Sequence, residues 1–591
     1  MTQPGAIEYW VVALYFGFML LTGLLFRKMN SKFGDYFRSG CRGTWWLVGS
    51  SVFMASFTAW TFTGAVGVAY TSGLTVAVIF MANGIGYVVN AALTAKWFRQ
   101  MRAITAPEVI RERFGPITQQ FYVIAGILPG VLTAALTLWG VALFTSTVFG
   151  FHLPYLIIGV GVVVLLYSTL GGLWGVMATD FLQALILLPM TVLIAFLSLQ
   201  SIGGWSGFFG EIEAQGLSHF LQLTDNTEGS TYTTWWALAM VFFVLVMYNS
   251  VTASVKYFAC KDGREAQKAA GLAAFLMFGG AILWFIPPIV ARLQFSEIVE
   301  AQEIAVPGEA AYAVIATQLL PAGLTGLIAV AMFAATMSSM STILNQFAAV
   351  VTQDIYKAFI RPQATDREMF VGGQIASFCT GVIIVLVALY LSAAEGAGLF
   401  QYMLLFGSLL MTPMVVPLFW VMFIRRVPDW AAVFSVCCSF VVSFFAWWFG
   451  WRYEWGVFAI LFVGTASFFL TMPFYEFSPA HYRRKIAGFY EKMYRPVDFE
   501  SEVGQASDPG QLKIVGYVSS SIGLFVLLGI LIPNPLAGRL QILAVALSIL
   551  GFGVFMVLTG YRTERRLRPS GEATILPPIE DKEEAAVENA P

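Results

Sequence analysis

The residues best suited to chemistry are hydroxyls in the middle of an apolar stretch, Ala331-Met-Phe-Ala-Ala-Thr-Met-Ser-Ser-Met-Ser-Thr-Ile-Leu-Asn345. The stretch lies in a hydrophobic segment from about Gly323 to Val351. A segment of that length spans a bilayer, and Ser338 and Ser339 fall near its midpoint. Ala335, Ser338, Ser339 and Thr342 are spaced i, i+3, i+4, i+7 and share one helix face, with Ser341 beside it. Uncharged oxygen ligands at membrane depth suit a weakly held, easily released sodium ion. Small residues also let two membrane helices pack closely, so the stripe alone leaves both readings open.

Three further stretches carry polar groups into apolar spans. Ser51-Val-Phe-Met-Ala-Ser-Phe-Thr-Ala-Trp-Thr-Phe-Thr-Gly64-Ala-Val-Gly67 mixes hydroxyls, one Trp and two glycines. Glycine there is expected to let the backbone leave regular helix geometry and free carbonyls for a cation. The turn Leu170-Gly-Gly-Leu-Trp-Gly175 leads into a span holding Asp180 and Gln183. A carboxylate inside the bilayer costs on the order of 3 kcal/mol unless compensated, so Asp180 reads as functional. Tyr248-Asn249-Ser250 precedes Lys256, which is expected to snorkel to the inner membrane surface, with charge pairing as the alternative.

The elements that position these residues must be membrane helices. The chain of 591 residues is 58 % hydrophobic and only 11 % charged, well below the charge of soluble domains. Windowed hydrophobicity gives about 15 spans: 9–26, 46–72, 75–96, 118–148, 154–170, 175–200, 233–255, 270–291, 322–353, 371–392, 399–424, 430–450, 454–474, 514–532 and 540–560. The start, Met-Thr-Gln-Pro-Gly-Ala-Ile-Glu, lacks a basic region, so the first apolar run reads as a retained span. With the N-terminus outside, only Arg292, Arg452 and Arg539 of the 33 Lys and Arg residues fall outside, which places the C-terminus in the cytoplasm.

Net charge is −1 and says nothing about partners, but the basic residues are scattered in short loops rather than gathered on one patch, which argues against nucleic acid and leaves the lipid bilayer as the surrounding medium. Five cysteines show no disulfide or metal spacing. The three histidines fall in loops, so neither zinc nor histidine-based catalysis has a basis, and the chain is not read as an enzyme. A sensor would need a signalling domain, and the polar insertion Phe477–Leu512 and the tail are too short for a kinase. Arg483-Arg484-Lys485 in that insertion reads as a membrane-flanking basic cluster, and the tail beyond about Arg562 as disordered.

In this order the stretches resemble the sodium:solute symporter family, which includes sodium–glucose, sodium–proline and sodium–sialic acid transporters. Gly34-Asp-Tyr-Phe-Arg-Ser-Gly-Cys-Arg is similar to the family's DYFLAGR stretch, and Thr105-Ala-Pro-Glu-Val-Ile-Arg-Glu-Arg-Phe-Gly115 to its TxPEYLxxRFG loop. Gly171-Gly-Leu-Trp-Gly-Val-Met-Ala-Thr-Asp180-Phe-Leu-Gln is similar to GGxxAVxxTDxxQ, and Lys256-Tyr-Phe-Ala-Cys-Lys-Asp to QRYLAAKD. Ala334 to Asn345, followed by Asp354-Ile-Tyr-Lys357, resembles the sodium-binding helix and its exit. The likeness runs from about residue 34 to 360.

The resemblance implies an all-α polytopic fold with a five-plus-five inverted-repeat, leucine-transporter-like core and extra N- and C-terminal helices. The repeats would occupy 46–200 and 201–424. Residues 1–45 would precede them; further spans at 425–475, a cytosolic linker at 476–513, the last two spans at 514–560 and a tail at 561–591 would follow. The first helix of each repeat would be broken near the midplane. The implied first sodium site comprises the carbonyls of Met54, Phe57 and Ala335 and the hydroxyls of Ser338 and Ser339. A second sodium ion would use Asp180, Ser341 and Thr342, so the cofactor is one sodium ion or two.

Ser56 stands where proline-transporting members carry Asp, and Val255 where Gln is usual. Solute contacts are expected from Thr58, Trp60 and Thr61, with Asn249 and Gln401 opposite. No basic residue lies deep in a span, which favours a neutral or zwitterionic small organic solute (a sugar, amino acid or the like), while a monocarboxylate could rest on a helix N-terminus. The expected activity is sodium-coupled symport in a bacterial inner (plasma) membrane. A proton-coupled carrier using Asp180 is the closest rival.

Overall fold

Apolar stretches of this length fold as helices because hydrocarbon offers no partner for backbone N–H and C=O groups, and a helix satisfies them internally. The computed structural model describes residues 5–27, 41, 43–393, 398–502 and 508–567, and among these all extended regular structure is helical. Ten helical stretches among the described residues are long and apolar enough to cross a membrane. The protein is thus an integral, multi-pass membrane protein. The tail beyond residue 567 and the Gly34–Gly40 motif lie outside the described residues.

Two groups of helices position the site. In one, Trp45–Ser56 packs against Gly263–Leu283, which packs against Ala77–Val89, which in turn packs against Thr234–Tyr248. In the other, the long helix Leu324–Ala349 packs against Leu153–Ser201, Pro116–Phe149 and Asp366–Ala393. The hydroxyl-bearing helix and the Ser51–Gly67 stretch therefore belong to different groups and meet at their boundary.

The expected spans 154–170 and 175–200 appear as one helical stretch, Leu153–Ser201, of 49 residues. A straight helix of that length would reach about 74 Å, more than twice a bilayer. Phe151, just before the stretch, meets Tyr9 ring to ring at 5.9 Å, and the adjacent Glu8 accepts a 3.0 Å hydrogen bond from Gly323 N–H. At the far end the Ser201 hydroxyl donates to Gln294 Oε1 at 3.0 Å.

The region read as a polar linker, 476–513, is more ordered than its composition suggests. It contains a helix, Ala480–Tyr494, whose apolar side (Tyr482, Ile486, Phe489, Tyr490, Met493) is buried. That helix sits against Ala95–Gln100 and Ala106–Phe114 at the face of the basic loops. Lys485 donates to Arg111 O at 2.9 Å and Arg483 lies 3.6 Å from Glu476, so two of the three clustered basic residues bind the chain itself.

Candidate ion and solute site

The helix from Trp45 ends at Ser56. Phe57 and Thr58 are extended, and the chain resumes as the short turn Ala59–Phe62 and the helix Gly64–Ser72. The interruption leaves carbonyls of the last helical turn without intrahelical donors. A second interruption follows Tyr248: Asn249 ends its helix, Ser250 is extended, and 3-10 turns follow at Val251–Ser254 and Tyr257–Ala259. Both were expected in kind.

The cause of the first break differs from the expected one. It falls at Phe57-Thr58, not at a glycine. Gly64 and Gly67 instead permit close approach. A Cβ on Gly64 would lie 2.7 Å from Trp60 Nε1 and 3.0 Å from Phe400 N, and one on Gly67 would lie 2.9 Å from Glu309 Cγ.

Ser339, buried in the Leu324–Ala349 helix, donates its hydroxyl to Ala55 O at 3.4 Å. This joins the hydroxyl stripe to the end of the broken helix. Sequence reasoning named the carbonyls of Met54 and Phe57 but missed Ala55. Phe57 N–H donates to Met54 O at 3.3 Å. Ala335 and Ser338 lie in the same helix as Ser339, and so do Ser341 and Thr342. The side chains of these four lie outside the described ones. Carbonyl and hydroxyl oxygens gathered at a break, without a carboxylate, form a donor set that fits sodium.

One helical turn below Ala55, the Ser51 hydroxyl hydrogen-bonds Asp180 Oδ2, and both residues are fully buried. Lys256 completes the cluster: its Nζ donates to Asp180 Oδ2 at 3.0 Å and to Ser51 O and Oγ at 2.7 Å each. Lys256 is 5 % exposed, so it does not snorkel to a membrane surface; a buried carboxylate holds it. Sequence reasoning missed Ser51, although its i+4 relation to Ala55 places it on the same helix face.

On the solute side, Trp60 stacks with two rings, Phe400 at 5.7 Å and Phe80 at 6.4 Å. Trp60 Nε1 and Thr61 Oγ1 are buried without a hydrogen-bond partner among the described residues. Thr58 Oγ1 accepts from Trp60 N–H at 3.3 Å. Gln401 is exposed, and its Oε1 accepts from Gly398 N–H at 2.9 Å. Asn249 was expected to face solute, but its amide is committed elsewhere. It donates to Leu245 O at 2.9 Å and Gly86 O at 3.2 Å and accepts from Thr94 at 2.6 Å, which makes it a structural clamp on the second break. Ser56, the position of the absent Asp, hydrogen-bonds the Tyr87 hydroxyl.

Helices interrupted inside a membrane expose main-chain oxygens to a cargo, and this feature places the protein among the secondary transporters. More narrowly, the chain belongs to the sodium:solute symporter family, whose model matches residues 36–438. Its activity is sodium-coupled symport of a small solute. It is 28 % identical over 470 residues to a sodium/glucose cotransporter of Vibrio parahaemolyticus, spanning 74 % of this chain and 84 % of that one. It is also 28 % identical over 450 residues to the rat sodium/myo-inositol cotransporter 2, spanning 69 % of this chain and 64 % of that one. In fold it is similar to a sodium-coupled sialic acid symporter solved in a substrate-bound outward-open state, with a TM-score of 0.67 and 22 % identity over 79 % of this chain and 98 % of the other. A nucleobase-cation-symport-1 family transporter in a closed conformation is more distant, with a TM-score of 0.52 and 14 % identity.

Proposed function

We propose that the first sodium site lies at the Phe57-Thr58 break, formed by the carbonyls of Met54, Phe57 and Ala335 and the hydroxyls of Ser338 and Ser339. The Ser339–Ala55 hydrogen bond carries this reading: it ties the broken helix to the hydroxyl-bearing helix at the place where carbonyls are released. Sodium there joins the two helix groups and favours the state open to the outside. Solute binding then lets one group rock against the other, and sodium leaves into the sodium-poor cytoplasm past Asp180. The fifteen spans, an outside N-terminus and a plasma-membrane location complete the proposal; the basic loops support the orientation.

The solute is a neutral polyhydroxylated compound, a sugar or polyol. The unpaired Trp60 indole N–H and Thr61 hydroxyl would bond its hydroxyls, and Phe400 and Phe80 would extend the aromatic surface against its C–H face. Thr58 and Gln401 are the remaining candidate contacts. The names of the curated relatives point the same way. The test is uptake of labelled glucose, galactose and myo-inositol into proteoliposomes under an inward sodium or potassium gradient. Uptake of at least one with sodium alone is expected. Uptake driven only by a proton gradient would contradict sodium coupling, and sodium-driven uptake confined to charged solutes would contradict the solute class.

A further inference from the structure

The Lys256–Asp180–Ser51 cluster holds more than a salt bridge needs. Three oxygens of different kinds converge on one ammonium group: a main-chain carbonyl and a hydroxyl from Ser51 at 2.7 Å each, and the Asp180 carboxylate at 3.0 Å. This is the mixed oxygen set that a small monovalent cation takes. The cluster is closed to water, with Asp180 and Ser51 fully buried and Lys256 nearly so. It lies one turn, about 6 Å, along the helix from Ala55, whose carbonyl receives the Ser339 hydroxyl.

We propose that Lys256 is a tethered cation occupying the place of a second sodium ion at Asp180, so that this chain carries one sodium ion per cycle. The inference rests on the sodium-symport reading above and fixes its stoichiometry. A buried carboxylate contributes a single negative charge, and the ammonium already neutralises it. Asp180 Oδ1 has no hydrogen-bond partner among the described residues, so an oxygen is available. A full second cation beside the ammonium would nonetheless leave an uncompensated charge in a low-dielectric interior. Sodium could stay there only by expelling Lys256, whose other contacts, to Ser51, would then be lost as well. The ammonium's fixed charge, one turn from the first site, also keeps sodium there weakly held and readily released.

Equilibrium binding of radioactive sodium to the purified full-length protein, counted per chain, tests this. Wild type is expected to bind one ion, Lys256→Met two, and Lys256→Met combined with Asp180→Asn one again. Two ions on wild type would overturn the inference, whether or not the variant folds. So would a Lys256→Met protein that melts cooperatively and still binds one. No sodium on wild type with one on Lys256→Met would contradict the proposed first site and uphold the tethered cation. No sodium on either would overturn both.

Discussion

Ser339 is the residue on which ion binding turns. Its hydroxyl is buried and aimed at a carbonyl of the broken helix, so Ser339→Ala removes one ligand without adding bulk. Sodium affinity should fall about tenfold, equivalent to about 1.4 kcal/mol, as read by sodium-dependent tryptophan fluorescence. Glu309 makes a second prediction. It lies between spans, 4 % exposed, in a cradle formed by Gly67 and Gly398, where a Cβ on Gly398 would come within 2.7 Å of Glu309 Oε1. Burial pushes its carboxyl up from 4.5 to about 7, partly offset by hydrogen bonds from the Phe400 and Leu399 N–H groups. A carboxyl with a raised folded-state pKa is bound more favourably when protonated. Its contribution is therefore fully present below about 4.5 and is lost as pH rises to about 7, a change of about 3 kcal/mol. Thermal melts of wild type should drop across that window by more than those of Glu309→Gln.

At the scale of elements, the helix Ala480–Tyr494 straps the face of the basic loops. Arg113, 1 % exposed, donates to Tyr482 OH at 2.8 Å, Tyr490 OH at 3.3 Å and Arg425 O at 3.0 Å. The strap is reinforced at its edge by Lys492 with Glu112 at 2.9 Å and Arg102 with Glu502 at 2.6 Å. Arg113→Met leaves those tyrosines and the carbonyl without their shared donor. It should cost about 3 kcal/mol and expose the 480–502 region to limited proteolysis, whereas Lys492→Met, at a half-exposed pair, should cost less than about 1 kcal/mol. Composition shows that this segment is polar but not that it docks, because Arg102, Arg111, Glu112 and Arg113, which it meets, lie several hundred residues earlier in the chain. The broken helix was legible in another way. Its hydroxyls and glycines marked the right stretch, yet the glycines serve the approach of Trp60, Phe400 and Glu309, a tertiary fact that local composition does not carry. Gly67→Ala should therefore impair packing against Glu309 rather than straighten the break, lowering the melting temperature while Ser339-dependent sodium affinity is retained.

For the whole molecule, hydrophobic length and the placement of Lys and Arg made the membrane class readable, because burying unpaired backbone or charge in lipid is costly enough to mark every span. The order of short motifs made the family readable. The pairing of Lys256 with Asp180 was not, since 76 residues separate them and either could have faced a surface. Long-range pairing of this kind is what joins the two helix groups, and the account holds that sodium strengthens that joint. The most direct measurement is thermal stability of the purified protein in a titration of sodium against potassium at constant ionic strength, for wild type and Ser339→Ala. The melting temperature should climb with sodium alone, and the curve should be displaced to higher sodium in the variant. Equal curves in sodium and potassium, with stability following only pH, would contradict the account.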